Sequence, residues 1–414
     1  MRPAFHFAAE RGWINDPHGI TVKDGAYHLF YQYVPESMEW APNCHWGHAR
    51  GADLFSLRGL PVALAPGEGD DGVWTGSLVT DGDGGTRLFY TSTAQPDIGI
   101  GRIRVATPKD SEWIEWSKGD FVADVPAGLD IIAYRDPFLV KEPDGWRMFV
   151  GAGSSDGTAM ALSYTSADLA AWDYEGVALK RSTEERDPVW LGALWECPQI
   201  FEIDGRHVMV SSVWDDDVLH YAGYAIGDYA EGRFEPTTWG RLTYGPSYYA
   251  PSFFRDADGR PCLTFWMRGI ADPEAGWASA HSVPHVLTLD GDRLVASPHP
   301  DLVKYRGAPA GQGELPGLSG DIAWWPAPGD ALRVTCEGET VFVLKAGSAA
   351  IGAMTASESL ELPFGGGEVR VVVDAQAIEV STRDGVLGFG VRPGGATYAV
   401  EASHAVAYPL SHPS

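Results

Sequence analysis

The sequence predicts an all-β protein, a five-bladed β-propeller followed by a small C-terminal β-sandwich. Five Asp-Gly pairs stand between apolar runs and start 59, 61, 60 and 54 residues apart, at Asp24, Asp83, Asp144, Asp204 and Asp258. An Asp-Gly pair in this setting is a strong hairpin signal, and a strand repeat of this period is typical of propeller blades. After the fifth unit the repeat stops and short alternating strands follow, which indicates a sandwich.

Each predicted blade begins with a short apolar run that leads into the Asp-Gly turn. These first runs cover residues 19–22, 77–79, 137–140, 198–203 and 252–254. A more aromatic second run follows the turn, at 27–34, 87–90, 146–150, 207–214 and 263–266. A third run covers 46–49, 103–106, 160–164, 221–226 and 277–283. The fourth strands leave a less clear pattern, so the sequence predicts three or four antiparallel strands in each blade.

The predicted domains divide the chain near residue 310. Residues 1–310 are expected to form the propeller, and the Gly- and Pro-rich stretch 311–320 is the expected linker. Residues 321–414 are expected to form the sandwich, with strands at 331–344, 360–363, 369–373, 377–382, 388–391 and 397–402. Helical periodicity is weak throughout the chain.

Composition excludes several classes of partner. The formal net charge is −26 over 414 residues, so the protein repels nucleic acid and anionic membranes, and neither is expected as a partner. The same charge weakly disfavours a phosphorylated substrate. No apolar run approaches the roughly 20 residues of a membrane-spanning helix, and no signal peptide is visible, so a cytoplasmic location is expected.

The cysteines and tryptophans add two further constraints. The four cysteines are far apart and form no CxxC spacing, which argues against a zinc site and a disulfide framework, at Cys44, Cys197, Cys262 and Cys336. The chain also has 16 tryptophans, and a buried core accounts for most of them. Tryptophan faces also stack on sugar rings, so their number is compatible with a carbohydrate site.

Three acids occupy related positions in the repeat. Stepping back eight residues from each Asp-Gly pair gives Asp16, Thr75, Asp136, Glu196 and Ala250. In a propeller the first strands of the blades lie beside the central channel, so equivalent positions converge on one mouth. We therefore expect Asp16, Asp136 and Glu196 around one cavity, which makes the propeller the catalytic domain.

Carboxyl groups on either side of one bond are the apparatus of glycoside hydrolysis, in which one acid is ionised and the other donates a proton. Neighbouring negative charge raises the proton affinity of at least one acid. Glu196 has the longer side chain and suits the proton donor, whereas Pro17 stiffens the backbone at Asp16 and suits a nucleophile. Arg135 is expected to keep the adjacent Asp136 ionised.

Other interpretations of the same acids remain open. An aspartate before a proline at the start of a strand is usually a turn or cap residue, as Asp16 could be. Arg135 and Asp136 could form a structural ion pair, and Glu196 could lie at a strand edge. A cluster of carboxylates also suits Ca²⁺. The shared position of the acids in the repeat favours the catalytic interpretation.

Seven short motifs occur in order along the chain. They are Trp-Ile-Asn-Asp-Pro-His-Gly (13–19), Phe-Tyr-Gln-Tyr (30–33), His-Trp-Gly-His-Ala (45–49), Trp-Thr-Gly-Ser (74–77), Arg-Asp-Pro (135–137), Trp-Glu-Cys-Pro (195–198) and Tyr-Ala-Pro (249–251). Together with residues 373–380 of the predicted sandwich, this set resembles glycoside hydrolase family 32, the β-fructofuranosidases, over the whole chain. Each motif alone is weak, but their order and spacing are highly specific.

The resemblance implies a five-bladed propeller with a sandwich and retaining hydrolysis of a terminal β-fructofuranosyl group, with no metal or cofactor. By motif, Asp16 is similar to the nucleophile, Glu196 to the acid/base and Asp136 to the transition-state stabiliser. Positions similar to those lining the fructose pocket are Asn15, Gln32, Trp40, Trp74, Thr75 and Arg135, with looser matches at Tyr249 and Trp266. Retention requires the carboxyl groups of Asp16 and Glu196 to stand about 5–5.5 Å apart.

The expected substrate is the small sugar sucrose or a short fructo-oligosaccharide, cleaved from the end. The sequence departs from the family on the leaving-group side, with Leu57 where tryptophan is usual, Thr75 where serine is usual, and an unusual stretch at 95–110. Three alternatives remain: transfer of the fructosyl group to a sugar, an inverting furanosidase of the arabinanase kind with carboxyl groups about 6.5–9.5 Å apart, and a sugar-binding propeller without catalysis. The sequence does not indicate the oligomeric state.

Overall fold

The chain folds into a five-bladed β-propeller followed by a β-sandwich, as the sequence predicts. The computed structural model describes residues 1–310 and 313–413. Within those residues the helical element is a single 3₁₀ turn, Pro300–Tyr305, between the last blade and the sandwich. No helix of the described chain is long and apolar enough to cross a membrane.

Blades 1 to 4 each contain four consecutive antiparallel strands. Blade 1 comprises Gly12–Lys23, Ala26–Val34, His45–Gly51 and Arg58–Leu64. Blade 2 comprises Gly72–Thr80, Thr86–Thr93, Arg102–Pro108 and Trp116–Ala123. Blade 3 comprises Ile131–Glu142, Gly145–Ser154, Thr158–Ser166 and Asp173–Ser182. Blade 4 comprises Leu194–Ile203, Arg206–Asp215, Val218–Ala230 and Arg233–Arg241. The fourth strand, which the sequence indicates least clearly, is present in each of these blades.

Neighbouring blades pack through buried apolar side chains. Phe149 and Ala161 of blade 3, for example, belong to one buried cluster with Trp195 and Met209 of blade 4. Side chains alternate between the two faces of a strand, so each blade presents such residues to its neighbours. The propeller core is therefore a ring of interfaces between the blades.

Blade 5 closes the ring with a strand that the repeat does not predict correctly. Its antiparallel strands are Tyr248–Arg255, Pro261–Asp272, His285–Asp290 and Arg293–Pro298. The run predicted as its third strand is instead Trp277–His281, which pairs with Pro261–Asp272 and lies parallel to the first strand of blade 1. Gly12 pairs with Trp277 there, so blades 1 and 5 join in one nine-stranded sheet. Ring closure removes the exposed strand edge that an open propeller would carry.

All five predicted Asp-Gly pairs lie where the first strand of a blade turns into the second, and in blade 3 the glycine, Gly145, is already the first residue of the second strand. Asp24 and Gly25 have φ angles of 49° and 76°, and Asp204 and Gly205 have 50° and 77°. A two-residue turn with positive φ at both positions is of type I′, whose twist matches that of the two strands. The hairpin prediction is confirmed because it rests on local turn chemistry.

The C-terminal sandwich consists of two six-stranded sheets. The first contains Thr243–Tyr244, Gly385–Gly390, Ala377–Thr382, Val369–Asp374, Ser319–Trp324 and Ala405–Pro409. The second contains Gly313–Glu314, Tyr398–Ala402, Ala331–Cys336, Glu339–Ala346, Ala350–Met354 and Ser359–Pro363. Their inner faces bury a common core that includes Trp324, Phe342 and Phe389.

The predicted linker contains residues that pair within the sandwich. Gly313–Glu314 pairs with Tyr398–Ala402, and Ser319 begins a strand that pairs with Val369–Asp374. Gly311 and Gln312, also in the predicted linker, lie outside the described residues. The division of the chain at 310 and 320 stays a prediction.

A buried ionic cluster connects the N-terminal segment to the sandwich. The His6 ring contacts Asp374 Oδ2 through Nδ1 and Glu379 Oε1 through Nε2, each at 2.8 Å. The backbone N–H groups of Ala4 and Phe5 also donate to Asp374. Since residues 4–6 lead directly into blade 1, this cluster holds the start of the propeller against two sandwich strands.

Candidate active site

The first strands of the blades contact one another around the propeller axis. Ser77 Oγ of blade 2 donates to the carbonyl of Pro137 in blade 3 at 2.7 Å, and Gln199 Nε2 of blade 4 donates to that of Pro251 in blade 5 at 3.0 Å. In every blade, the pairing of the first strand with the second shifts register at the predicted site. The shifts lie at residues 14–17, 74–76, 135–138, 196–199 and 249–252. A bulge of this kind redirects a side chain, here beside the axis.

The backbone at three of these bulges shows which positions are equivalent. Asp136, Cys197 and Ala250 have left-handed φ angles of 65°, 49° and 47°, and each precedes a proline. The offset of eight residues therefore aligns Asp136 with Ala250 correctly but is wrong by one residue in blade 4. In blade 4 the residue equivalent to Asp136 and Ala250 is therefore Cys197. Glu196, one residue earlier, is equivalent to Arg135 and Tyr249.

The acids consequently form two neighbouring groups. In the first group the Cys197 sulfur lies 3.7 Å from Asp16 Oδ2 and 3.6 Å from Asp136 Oδ2, and its backbone N–H donates to Asp136 Oδ2 at 2.9 Å. Burial and the nearby carboxylates raise the pKa of the Cys197 thiol, which therefore keeps its proton. The S–H group is a weak donor between the two carboxylates.

Asp16 is held by uncharged donors. Thr75 Oγ1 donates to Asp16 Oδ2 at 2.7 Å, Gln32 Nε2 donates to the same oxygen at 3.2 Å, and Asn15 Nδ2 donates to Oδ1 at 3.1 Å. Burial raises the pKa of Asp16 to about 6, Thr75 and Asn15 oppose this shift, and the charge of Glu196 adds to it. Asp16 is therefore ionised at neutral pH and fixed in orientation, as a nucleophile must be.

Opposing effects act on the pKa of Asp136. Burial raises the pKa of this carboxyl, the charges of Glu196 and Asp16 raise it further, and Arg135 only partly opposes them. Arg135 favours the ionised form of Asp136, whereas burial and the two neighbouring acids oppose it, so the expected ionisation of Asp136 stays a prediction. The Arg135 guanidinium forms its ion pair with Glu196.

Glu196 forms the second group with a guanidinium and a phenol. Arg135 Nε donates to Glu196 Oε1 at 2.9 Å, and Arg135 Nη2 forms an ion pair with the same oxygen at 2.9 Å. The Tyr249 hydroxyl donates to Glu196 Oε2 at 2.6 Å. The Glu196 side chain is 17% exposed, more than the 8% of Arg135. Glu196 is thus fixed by its two partners and still reached from the mouth of the propeller.

Several buried polar atoms near the acids have no partner among the described residues. Two are acceptors, Asn15 Oδ1 and Gln32 Oε1, and two are donors, the indole N–H groups of Trp13 and Trp266. Buried polar groups are normally hydrogen-bonded, so unpaired ones mark positions where a ligand binds. Acceptors and donors together match the hydroxyl groups of a sugar.

Aromatic side chains complete the mouth. Trp40 is 44% exposed, and its ring lies 5.7 Å from that of Trp74 at an angle of 72°. Trp74 precedes Thr75 and donates its N–H to the carbonyl of Pro42, which fixes the pair beside Asp16. An exposed tryptophan face in this position suits stacking on a sugar ring.

The structure brings together the predicted site residues of all five blades and adds two others. Asp16, Asn15, Gln32 and Thr75 share one hydrogen-bonded group, and Arg135, Glu196 and Tyr249 share another, beside Asp136, Trp266 and the Trp40–Trp74 pair. Sequence reasoning missed Cys197 as a contact of the acids, and Trp13 as an unpaired donor. Aligning the blades on the proline that follows the bulge would have identified Cys197.

A β-propeller with three acids at its axis, two of them buried and one exposed to the mouth, has the arrangement of a glycoside hydrolase. The model for the N-terminal domain of glycosyl hydrolases family 32 matches residues 6–298. The chain therefore belongs to glycosyl hydrolase family 32, which confirms the resemblance seen in its motifs.

Named relatives and solved structures agree with this assignment. The sucrose-6-phosphate hydrolase of Zymomonas mobilis is 33% identical over 323 residues, which cover 72% of this chain and 61% of that protein. The levanase of Bacillus subtilis is 32% identical over 368 residues, covering 77% of this chain and 51% of that protein. This chain thus spans about half to two thirds of the length of these relatives.

Solved structures of the family share the whole fold. A β-fructofuranosidase of Bombyx mori superposes with a TM-score of 0.86 at 25% identity, covering 100% of this chain and 95% of that chain. Fructan 1-exohydrolase IIa of Cichorium intybus superposes with a TM-score of 0.81 at 21% identity, covering 99% and 97%, which bears on the fold alone.

Proposed function

We propose that this glycoside hydrolase is a retaining exo-β-fructofuranosidase that releases the terminal fructosyl group of sucrose or a short fructo-oligosaccharide. The observation that carries the proposal is the contrast between two acids at one mouth. Uncharged donors hold Asp16, whereas a guanidinium and a phenol hold Glu196. The names of the relatives, which include sucrose-6-phosphate hydrolases and a levanase, support a fructoside as substrate.

In the first step the Asp16 carboxylate attacks the anomeric carbon of the fructosyl group. The bond from that carbon to the leaving oxygen breaks, and this oxygen takes the proton of Glu196 in its acid form. The products are a fructosyl ester of Asp16 and a free alcohol. The donors from Thr75 and Asn15 fix the Asp16 oxygens before the reaction, which lowers the entropic part of the barrier.

In the second step water attacks the same carbon from the side that the alcohol has left. Glu196, now a carboxylate, takes a proton from this water while the ester bond to Asp16 breaks. Two inversions give net retention of configuration. Arg135 and Tyr249 both donate to Glu196, so they hold its carboxyl group in position for this step.

The fructosyl group is expected to bind against the unpaired amide oxygens. Asn15 Oδ1 and Gln32 Oε1, which have no partner among the described residues, are assigned to accept hydrogen bonds from its hydroxyl groups. Asp136 is assigned to accept another, in line with the resemblance of its motif. As positive charge develops on the ring, a carboxylate beside it interacts more strongly with the transition state than with the substrate. Asp136 is therefore assigned the stabilising role.

Release of fructose tests the proposal. Fructose is measured after incubation with sucrose, 1-kestose, inulin and levan, with Asp16→Ala and, as a matched control, Asp24→Ala in the exposed hairpin turn. Fructose is expected from the short substrates, and Asp16→Ala should lower the rate about 10⁴-fold or more, whereas Asp24→Ala should not. At high sucrose, formation of longer fructosides in place of fructose would indicate the transferase alternative.

Two results would contradict the proposal. A rate close to wild type in Asp16→Ala would remove Asp16 from the mechanism. Binding of these sugars without any release of fructose by the wild-type protein would favour the sugar-binding alternative.

A further inference from the structure

Three buried N–H donors without a partner lie together on one side of the acids. Among the described residues, the indole nitrogens of Trp13 and Trp266 and the Nε atom of Arg268 are all buried and unpaired. The Trp13 and Trp266 rings are 5.6 Å apart at 72°, and the Arg268 guanidinium lies 6.0 Å from the Trp266 ring. These three residues, the donor cluster, come from blades 1 and 5.

The donor cluster adjoins Glu196 through one side chain. The Arg268 guanidinium lies 5.1 Å from the centre of the Tyr249 ring, and the Tyr249 hydroxyl donates to Glu196 Oε2 at 2.6 Å. The rings of Tyr249 and Trp266 are 6.2 Å apart. The cluster therefore adjoins the side of the site where Glu196 meets the departing oxygen.

Arg268 is fixed without being neutralised. Its Nη1 donates to the carbonyl of Leu219 at 2.8 Å, and its Nη2 donates to that of His220 at 3.2 Å. Within residues 1–310 and 313–413 no carboxylate lies within ion-pairing distance of Arg268. The acid whose charge still interacts with Arg268 at longer range is Glu196. The two carbonyls hold the guanidinium plane, which leaves the Nε–H group for another acceptor.

We propose that Trp13, Trp266 and Arg268 bind the leaving group of the substrate, and that Arg268 Nε donates to one of its oxygens. The inference rests on the proposed function, because it takes Glu196 as the group that protonates the departing oxygen. Indole and guanidinium groups donate and cannot accept. The ligand they recognise is therefore an acceptor oxygen of the leaving sugar, either a hydroxyl oxygen or a phosphoryl oxygen.

A purely structural role for Arg268 makes a different prediction. The same side chain bridges blades 5 and 4 through Leu219 and His220, so a substitution could simply loosen this junction. Loosening would lower turnover of every fructoside by a similar factor. Loss of a leaving-group contact would instead depend on which leaving group the substrate carries.

The test compares substrates that share the fructosyl group and differ in the leaving group. The kcat/KM values for sucrose, sucrose 6-phosphate and methyl β-D-fructofuranoside are measured for wild type, Arg268→Met and Trp266→Phe. Arg241→Met is the matched control, because Arg241 also stacks on tyrosine rings and donates to a carbonyl but has no unpaired Nε. Thermal unfolding of each variant reports on the blade junction.

Arg268→Met is expected to lower kcat/KM for sucrose by about tenfold or more beyond its effect on the methyl fructoside, since it removes a charged donor. Trp266→Phe, which keeps a ring and removes the N–H, should show the same preference with a smaller factor. A larger loss for sucrose 6-phosphate than for sucrose identifies a phosphoryl oxygen as the acceptor, and the opposite order identifies a hydroxyl oxygen.

Equal losses on sucrose, sucrose 6-phosphate and the methyl fructoside in both variants would overturn the leaving-group assignment while leaving the proposed function in place. A wild-type protein that cleaves none of the fructosides would overturn the proposed function and this inference together. Trp266→Phe decides the question if Arg268→Met does not fold.

Discussion

The ionisation of Asp16 is the balance of two opposing effects. Burial raises its pKa to about 6, and the hydrogen bonds from Thr75 and Asn15 favour the carboxylate and limit that rise. Since the nucleophile must be ionised, kcat/KM is expected to fall as the pH drops through about 6. Thr75, which stands where the family usually has serine, is therefore expected to help set the pH at which this acidic limb falls.

We predict that Thr75→Val moves the acidic limb of the kcat/KM profile to higher pH. Valine has a similar shape but cannot donate to Asp16 Oδ2, so the carboxylate loses a stabilising bond and its pKa rises. A hydrogen bond to a charged group contributes about 1.5–3 kcal/mol, which corresponds to a shift of about 1–2 pH units. The measurement is the pH dependence of kcat/KM between pH 4 and 9.

Two controls isolate this effect. Thr75→Ser keeps the hydroxyl and should restore the wild-type limb. Ser77→Ala removes a nearby hydroxyl that donates to the Pro137 carbonyl and not to an acid, so it should leave the limb in place. A Thr75→Val profile that overlays the wild-type profile would show that this bond does not set the pKa of Asp16.

At the scale of the strand, the bulges place the acids. Ala250 has a left-handed φ of 47°, is buried, and donates its N–H to Ser212 Oγ at 2.9 Å. It follows Tyr249, whose hydroxyl holds Glu196. The conformation of this bulge thus controls the position of the acid/base although Ala250 itself has no chemistry.

We predict that Ala250→Val destabilises the protein by about 2 kcal/mol or more, because a β-branched residue is strained at positive φ and the site is packed. Ala250→Gly should cost less than about 1 kcal/mol, since glycine adopts this conformation freely. Urea unfolding measures both changes, and kcat/KM should fall with valine more than with glycine. Equal stability of the two variants would show that the left-handed conformation is not a constraint.

The strands and turns could be predicted more fully than the bulges. The type I′ turns at Asp24 and Asp204 follow from local sequence, which is why the blade repeat could be predicted. The one-residue difference between Glu196 and Cys197 could not be predicted from the offset to the turn, because a bulge changes the count without changing the apolar pattern. The ion pair between Arg135 and Glu196 could not be predicted for the same reason.

At the scale of the whole molecule, contacts between distant parts of the chain close the structure. The pairing of Gly12 with Trp277 joins blades 1 and 5, and the cluster of His6, Asp374 and Glu379 joins the N-terminal segment to the sandwich. The sequence does not predict these contacts, because they depend on residues more than 260 positions apart. The five blades themselves were predictable because each one repeats a local pattern.

The His6 cluster makes stability depend on pH. Burial disfavours the charged imidazole, but the hydrogen bonds to Asp374 and Glu379 outweigh it and raise the pKa of His6 to about 9. In the unfolded chain the histidine pKa is about 6.5. The proton on His6 therefore stabilises the fold fully below about pH 6.5, and this contribution is lost as the pH rises through about 9.

We predict that His6→Ala lowers the free energy of unfolding by about 3–5 kcal/mol near pH 6, because it removes the cation that lies between two buried carboxylates. The difference from wild type should shrink as the pH rises to about 9.5. Urea unfolding at both pH values measures it. His412→Ala is the matched control, since His412 stacks on Phe5 at the surface and contacts no acid of the cluster. A difference that stays constant with pH would contradict a charged His6.

The central claim is that Asp16 forms a covalent fructosyl ester and Glu196 acts on both sides of it. Cleavage of sucrose in the presence of methanol, followed by NMR of the first products, tests this claim most directly. Methanol in place of water should give methyl β-D-fructofuranoside in the wild type and essentially none in Asp16→Ala, since two inversions preserve the β configuration. Formation of the α anomer, or release of fructose with no methyl fructoside, would contradict the covalent mechanism and favour an inverting enzyme.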